Sequence, residues 1–291
     1  MKVVDASGEL EARPRAVAPG TFDGVHLGHR RVLEATLSTA PALAPTVVTF
    51  WPHPRIVLGN EVRLLTTLER RLELLAEAGV GETLVAEFTP ELAQTEPEAF
   101  VGELLRPIGT ELVVAGVDFR FGRARRGDMA TFEGLGLAVE RVELVPGISS
   151  TAIRDLLAAG DVEGASRLLG RPPEVEGTVV SGDARGGTLG YPTANLRVDP
   201  DLLVPAYGIY AGWAAGHRAA VSIGTNPHYG GSERRVEAFL LDFEGCDLYG
   251  ERLVVELWRR LRDERAFASE EELVAQITQD VEATREAKRP I

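Results

Sequence analysis

The feature that most restricts the fold is a change of hydrophobic period near residue 170. Upstream, short apolar runs at 44–51 (APTVVTFW), 82–88 (ETLVAEF) and 111–117 (ELVVAGV) alternate with helix-period segments. Thr66 and Glu69 form a capping-box pattern ahead of Leu68, Leu72 and Leu75, and Pro97 opens a segment with Phe100, Val101, Leu104 and Leu105 on one face. Such alternation predicts parallel strands joined by crossover helices, with ligands gathering at the carboxyl ends of the strands. A short capped helix at 161–169 then leads into the breaker Gly170-Arg171-Pro172-Pro173. Strand signals follow at 174–181, 207–214, 218–223, 236–243 and 252–258, separated by Gly, Pro and Asn turns, which predicts a small antiparallel barrel. Ser269 and Glu272 box the start of a closing helix with Leu273, Ile277 and Val281 on one face. The expected organisation is a Rossmann-like α/β domain with a parallel sheet over 1–169, then a small antiparallel β-barrel domain with a C-terminal helix over 170–291.

Two domains suit a 291-residue chain. Acids outnumber bases 44 to 31, a net charge of −13, and the excess is spread evenly: 24 against 17 through residue 169, then 20 against 14. A protein that coats nucleic acid needs a net basic face, so that partner is excluded, although a pocket can still bind phosphate locally. Lys2 and Lys288 are the only lysines, so phosphate chemistry has to rest on arginine, histidine and backbone amides. The single cysteine, Cys246, excludes an internal disulfide framework and any CxxC motif. Residues 1–10 lack the apolar stretch of a signal peptide, and no run approaches about 18 apolar residues. A cytoplasmic chain with no membrane partner is the expectation.

The most specific local string is GTFDGVHLGH at 20–29. It follows a weak apolar run (Ala16, Val17, Ala18) and precedes a helical stretch with Val32, Leu33 and Leu37. A glycine-rich turn opening a helix aims backbone N–H groups and the positive end of the helix dipole at an anion. His26 and His29 are three apart, so their imidazoles fall on one side, and Gly28 lets a phosphate approach the backbone. Together they can neutralise the charge that grows when an α-phosphate is attacked and pyrophosphate leaves. This is the H-x-G-H arrangement of nucleotidylyltransferases; two helix-start histidines with purely local hydrogen bonds are the alternative. ISSTAIR at 148–154 places three hydroxyls at a helix N-terminus and Arg154 one turn in, which suits triphosphate oxygens and also suits a plain N-cap. GVDFRFG at 116–122 reads as a strand end feeding a basic loop (Arg120, Arg123, Arg125, Arg126) that could meet a phosphorylated substrate or simply be solvated. His53, in Pro-His-Pro, reads as structural.

Beyond residue 170 the string GDARGGTLGYPTAN at 182–195 offers glycines that can wrap phosphate. Thr193 and Asn195 are two apart, so on a strand both face the same way and present hard oxygen donors suited to Mg²⁺ on a nucleotide; a simple hairpin is the alternative. In VEAFLLD at 236–242, alternation puts Glu237, Phe239 and Leu241 on one face with the carboxylate at its rim, either as a base or as an ordinary strand-end Glu.

The blocks GTFDGVHLGH, FWPHP at 50–54, GVDFRFG and ISSTAIR resemble those of the FAD synthetase (FMN adenylyltransferase) module of bacterial bifunctional riboflavin kinase/FAD synthetases. PTAN, PAYGIYA at 205–211, SIGTNP at 222–227, VEAFLLD and DLYG at 247–250 occur in the order found in riboflavin kinases. The resemblance spans nearly the whole chain and implies an α/β nucleotidylyltransferase domain followed by a riboflavin kinase barrel. It implies that His26 and His29 act on the ATP phosphates with Gly20, Phe22 and Gly24 around them, that Ser150, Thr151 and Arg154 clamp them, and that Asp118 and Arg120 lie by the flavin. In the kinase it implies Gly182, Gly190, Thr193 and Asn195 about Mg²⁺ and ATP, with Glu237 as general base for the ribityl 5′-hydroxyl. The partners implied are small molecules: riboflavin, FMN, FAD and ATP. The chain departs from the family pattern in a shortened 128–149 segment and at Ala152 and Gly187. Rival readings are an H-x-G-H transferase for another phosphorylated acceptor and a flavin- or nucleotide-binding regulator with reduced catalysis.

Overall fold

The computed structural model describes residues 1–11, 13–181, 191–225, 234–243 and 248–290. Gly182, Gly190, Gly187 and Cys246 lie outside the described residues. The chain divides into two compact units, Met1–Ser150 and Thr151–Ile291.

In the first unit six strands form one parallel sheet: β1 (Lys2–Val4), β2 (Arg15–Pro19), β3 (Ala44–Trp51), β4 (Glu82–Glu87), β5 (Thr110–Gly116) and β6 (Ala138–Val142), in the order β1-β4-β3-β2-β5-β6. Period-2 alternation splits each central strand between two cores. Val17, Val48, Leu84 and Val113 face a cluster containing Phe100, Leu105, Ile108 and Phe132. Ala18 and Val47 face the other, with Leu33 of α1 (Leu27–Leu37) and Leu74 and Leu75. The order runs outward from β2 to β3 and β4 on one side and to β5 and β6 on the other. Such a reversal opens a crevice at the carboxyl ends of the two strands where it occurs, β2 and β5. After β3 comes a single turn, α2 (Pro54–Val57), capped by His53, whose Nδ1 accepts from Arg55 N at 3.2 Å. That is the structural role the sequence suggested.

The helix α3 (Leu68–Glu77) corrects one expectation. Its cap is Thr67, whose hydroxyl accepts from Arg70 N at 3.1 Å, and not Thr66. Thr66 is drawn away because its hydroxyl is already bonded to Asp23 and to the amide of Gly24. The segment opened by Pro97 is a single α-turn, α4 (Pro97–Phe100), continued by a wider turn over Val101–Leu105, with Phe100, Val101 and Leu105 buried.

The second unit begins with α5 (Ser150–Ala158, its first residue in the preceding unit) and α6 (Val162–Leu169), the latter capped by Asp161 through Gly164 N at 2.7 Å. Gly170 ends α6 in a left-handed conformation, φ 71°. A closed antiparallel barrel follows: β7 (Glu174–Val180), β8 (Thr193–Arg197), β9 (Gly208–Ala214), β10 (His217–Thr225), β11 (Arg234–Leu240) and β12 (Arg252–Arg262), in the order β10-β11-β8-β7-β12-β9. Val179, Leu196, Val221, Val236 and Ala238 are buried within it. The closing helix α7 (Glu270–Glu286) starts at Ser269, whose hydroxyl accepts from Glu272 N at 3.3 Å. Asp280 ties it to β12 by accepting from Arg262 Nε and Nη2 at 3.0 and 2.7 Å.

Candidate active sites

The loop that leaves β2 carries residues 20–26 into α1, so it occupies the predicted crevice. Its backbone is unusual: Phe22, Gly24 and Val25 all have positive φ, at 49°, 84° and 38°. A β-branched residue in this region is an outlier, and each such non-glycine residue costs about 1–3 kcal/mol. Burial of the Phe22 and Val25 side chains in the core against Leu33 offsets that cost, at about 1.5–3 kcal/mol apiece.

His26 ends the loop as the N-cap of α1, its Nδ1 accepting from His29 N at 3.2 Å. An acceptor Nδ1 fixes the tautomer, so the ring carries its proton on Nε2. The two imidazoles stack, centroids 3.6 Å apart and 13° from parallel, with Phe22 5.2 Å from His29. Gly28 suits this stack, because a Cβ there would stand 3.1 Å from His26 Cε1 and the ring would have to give way. His29 Nδ1 is enclosed and has no hydrogen-bond partner among the described residues. Burial first, then the neighbouring charges of His26 and Arg71, hold His29 well below the ordinary imidazole value of 6.5. His29 is therefore a neutral imidazole at physiological pH, a donor or acceptor of one proton and not a fixed cation.

Asp23 anchors the loop from beneath. Its carboxylate accepts from Leu65 N at 3.0 Å, Thr66 N at 3.2 Å and Thr66 Oγ1 at 3.3 Å. Buried Arg71 stands 3.8 Å away and also lies over the Trp51 ring at 5.5 Å. Ser150, first residue of α5, donates its hydroxyl proton to the Asp23 carbonyl at 3.0 Å.

In the barrel the register decides what faces what. Asn195 on β8 pairs with Glu237 on β11, and Glu237 pairs on its other side with Ser222 on β10. Directly opposed residues share a face, with Cβ atoms about 4.5–5.5 Å apart. The three make a polar row across three strands, on the face opposite buried Val236 and Ala238. Thr193 lies two residues from Asn195 on that face and pairs with Phe239, against which Tyr191 packs edge-on at 5.2 Å. Asn195 Nδ2 donates to the Thr193 carbonyl at 3.4 Å. Glu237 differs from expectation in one respect: it sits mid-strand and not at a rim, because Arg234 and Arg235 extend β11 by pairing with Thr225 and Gly224.

Family profiles match both units in this order: "FAD synthetase" over residues 9–153 and "Riboflavin kinase" over residues 169–288. The chain is 37% identical to a bifunctional riboflavin kinase/FMN adenylyltransferase of Listeria monocytogenes, covering 93% of this chain and 91% of that protein. Against the Escherichia coli K12 protein of the same description it is 34% identical, covering 98% and 97%. The chain belongs to the bifunctional riboflavin kinase/FMN adenylyltransferase family. A crystal structure titled as a macrolide-efflux protein of Streptococcus pneumoniae shares the fold, with a TM-score of 0.88 and 31% identity over 98% of this chain and 99% of that one. No helix among the described residues is long and apolar enough to cross a membrane.

Against the family pattern, the structure gathers Gly20, Phe22, Gly24, His26, His29 and Ser150 about one loop. Thr151 and Arg154 continue along α5. Asp118, exposed, leaves the sheet just past β5, at the same carboxyl edge as the histidine loop. Arg120 is paired with Asp128 at 2.8 Å, while Arg123 and Arg126 are paired with Glu96. Asp23, Arg71 and Ser222 do not stand out from sequence, and Thr66 stands out only as a cap. For Arg71 a signal existed: it stands on the apolar stripe of α3 with Leu74 and Leu75, where a charge needs a partner.

Proposed function

We propose the following assignment of residues to two reactions. The chain phosphorylates riboflavin with ATP to give FMN and ADP, and adenylylates FMN with ATP to give FAD and pyrophosphate. Adenylyl transfer belongs to the histidine loop, with the functional boundary at 169/170 so that Ser150, Thr151 and Arg154 serve it. An FMN phosphate oxygen attacks the α-phosphorus of ATP, the bond to the bridging oxygen breaks, and charge grows on the departing pyrophosphate. His26, through Nε2–H, and neutral His29 donate hydrogen bonds to that charge, while Thr151 and Arg154 hold the triphosphate. Asp118 and Arg120 orient the flavin. The observation that carries this reading is the stacked histidine pair at the start of the helix that follows β2.

Phosphoryl transfer belongs to the outward polar row of the barrel. Glu237 takes the ribityl 5′-hydroxyl proton as that oxygen attacks the γ-phosphorus and ADP leaves. The residues fit Mg²⁺: Thr193 and Asn195, two apart on one face of β8, carry hard oxygens that suit a cation shared with a nucleotide. The ion supplies charge neutralisation on the phosphates when bound. The setting is the cytoplasm. Purified protein given riboflavin, Mg²⁺ and ATP yields FMN and then FAD by chromatography; absence of both under oxidising and reducing conditions refutes the assignment.

A further inference from the structure

The histidine loop is held in part by Leu65, Thr66 and Arg71, which lie outside every motif. Thr66 is buried, and its single hydroxyl does two things at once: it donates to Asp23 Oδ1 at 3.3 Å and accepts from Gly24 N at 3.3 Å. Gly24 lies between the two non-glycine residues held at positive φ, Phe22 and Val25. The Thr66 and Leu65 amides reach the same carboxylate at 3.2 and 3.0 Å, and Arg71 beneath it supplies the counter-charge. From the far side Ser150 fixes the carbonyl of Asp23 at 3.0 Å. The strained backbone that delivers His26 and His29 is thus fastened at both ends of Asp23 and at the amide that follows it. Strain at a site persists only where its surroundings over-determine it.

We propose that Thr66 is a positioning residue for adenylyl transfer, acting through Asp23 and the Gly24 amide to hold the H-x-G-H histidines where charge develops on the leaving pyrophosphate. Thr66 touches no reacting atom in this scheme. The inference rests on the assignment of adenylyl transfer to His26 and His29.

Thr66→Val removes the hydroxyl and keeps the shape, and Thr66→Ser restores the hydroxyl. The valine variant is expected to lose about tenfold or more in kcat for FAD formation from FMN and ATP, with KM for FMN unchanged within about twofold. Serine returns kcat to within about threefold of wild type, and FMN formation from riboflavin, carried out by the barrel, is unchanged in both. Hydrogen exchange of the 22–29 peptide speeds up in the valine variant alone. Thr66→Ala, with less bulk, carries the test if circular dichroism shows the valine variant unfolded. A kcat within about threefold of wild type in the hydroxyl-free variant, an equal loss in the serine variant, or a loss without faster exchange at 22–29 overturns the proposal. His29→Ala separates the two readings: if it keeps FAD formation, the site assignment fails, and if it abolishes FAD formation while Thr66→Val does not impair it, only the positioning role fails.

Discussion

Replacing Gly28 with alanine separates stability from catalysis at the histidine loop. Gly28 is the second residue of α1, where an added methyl group favours the helix by up to about 1 kcal/mol. The new Cβ would stand 3.1 Å from His26 Cε1 and 3.2 Å from Nδ1. Carbon contacts settle at about 3.5–4.0 Å, so the ring has to retreat by several tenths of an ångström. It has little room, being stacked on His29 at 3.6 Å and bonded to the His29 amide at 3.2 Å. Losing that cap costs about 1 kcal/mol, which offsets the propensity gain, so the melting temperature should move by no more than a few degrees, roughly. Catalysis has no such compensation. A donor displaced from the developing charge forfeits about 1.4–2.7 kcal/mol of transition-state stabilisation, a fall of about 10- to 100-fold in FAD formation. Chromatographic rates from FMN and ATP measure it, with FMN formation from riboflavin in the same preparation as the internal control. FAD formation within about threefold of wild type, or an equal fall in both activities, would refute the reasoning.

Two further outcomes follow from the packing. The folded value of His29 lies below its ordinary 6.5, so as pH falls through 6.5 the unfolded chain gains a proton that the folded chain refuses. Stability present above 6.5 is lost as pH falls toward the folded value, at up to about 1.4 kcal/mol per pH unit. Urea unfolding of His29→Gln over the same range should show a shallower slope, and an identical slope would contradict a buried neutral imidazole. Asp280→Asn weakens the bidentate hold of Arg262, at 2.7 and 3.0 Å, on the closing helix. It should cost about 1–3 kcal/mol in thermal unfolding while leaving the rate of FAD formation at 25 °C intact, roughly. An unchanged transition would show that the pair contributes nothing net.

Much of the architecture was legible because it rests on short-range periodicity. The parallel strands, the barrel, the Gly170 stop and the Ser269 cap follow from spacing and turn chemistry alone. The histidine pair was legible for the same reason, since i,i+3 at a helix start is local. What escaped was decided by tertiary pairing. Thr66 looked like a cap, yet Thr67 took that role because Asp23, 43 residues away, claims the Thr66 hydroxyl. Ser222 entered the polar row only through the register that sets Glu237 between β8 and β10, which no local pattern encodes. In the basic loop after β5, Arg120 is paired with Asp128, and Arg123 and Arg126 with Glu96, pairings between side chains well separated in sequence that no local pattern encodes.

Two independent phosphorus chemistries on one chain are tested most directly by measuring both activities in each of two single variants. His29→Ala should abolish FAD formation from FMN while riboflavin is still converted to FMN at the wild-type rate. Glu237→Ala should stop FMN formation and leave FAD formation from supplied FMN intact. Loss of both activities in either folded variant, or retention of the activity assigned to the altered residue, would contradict two separate sites.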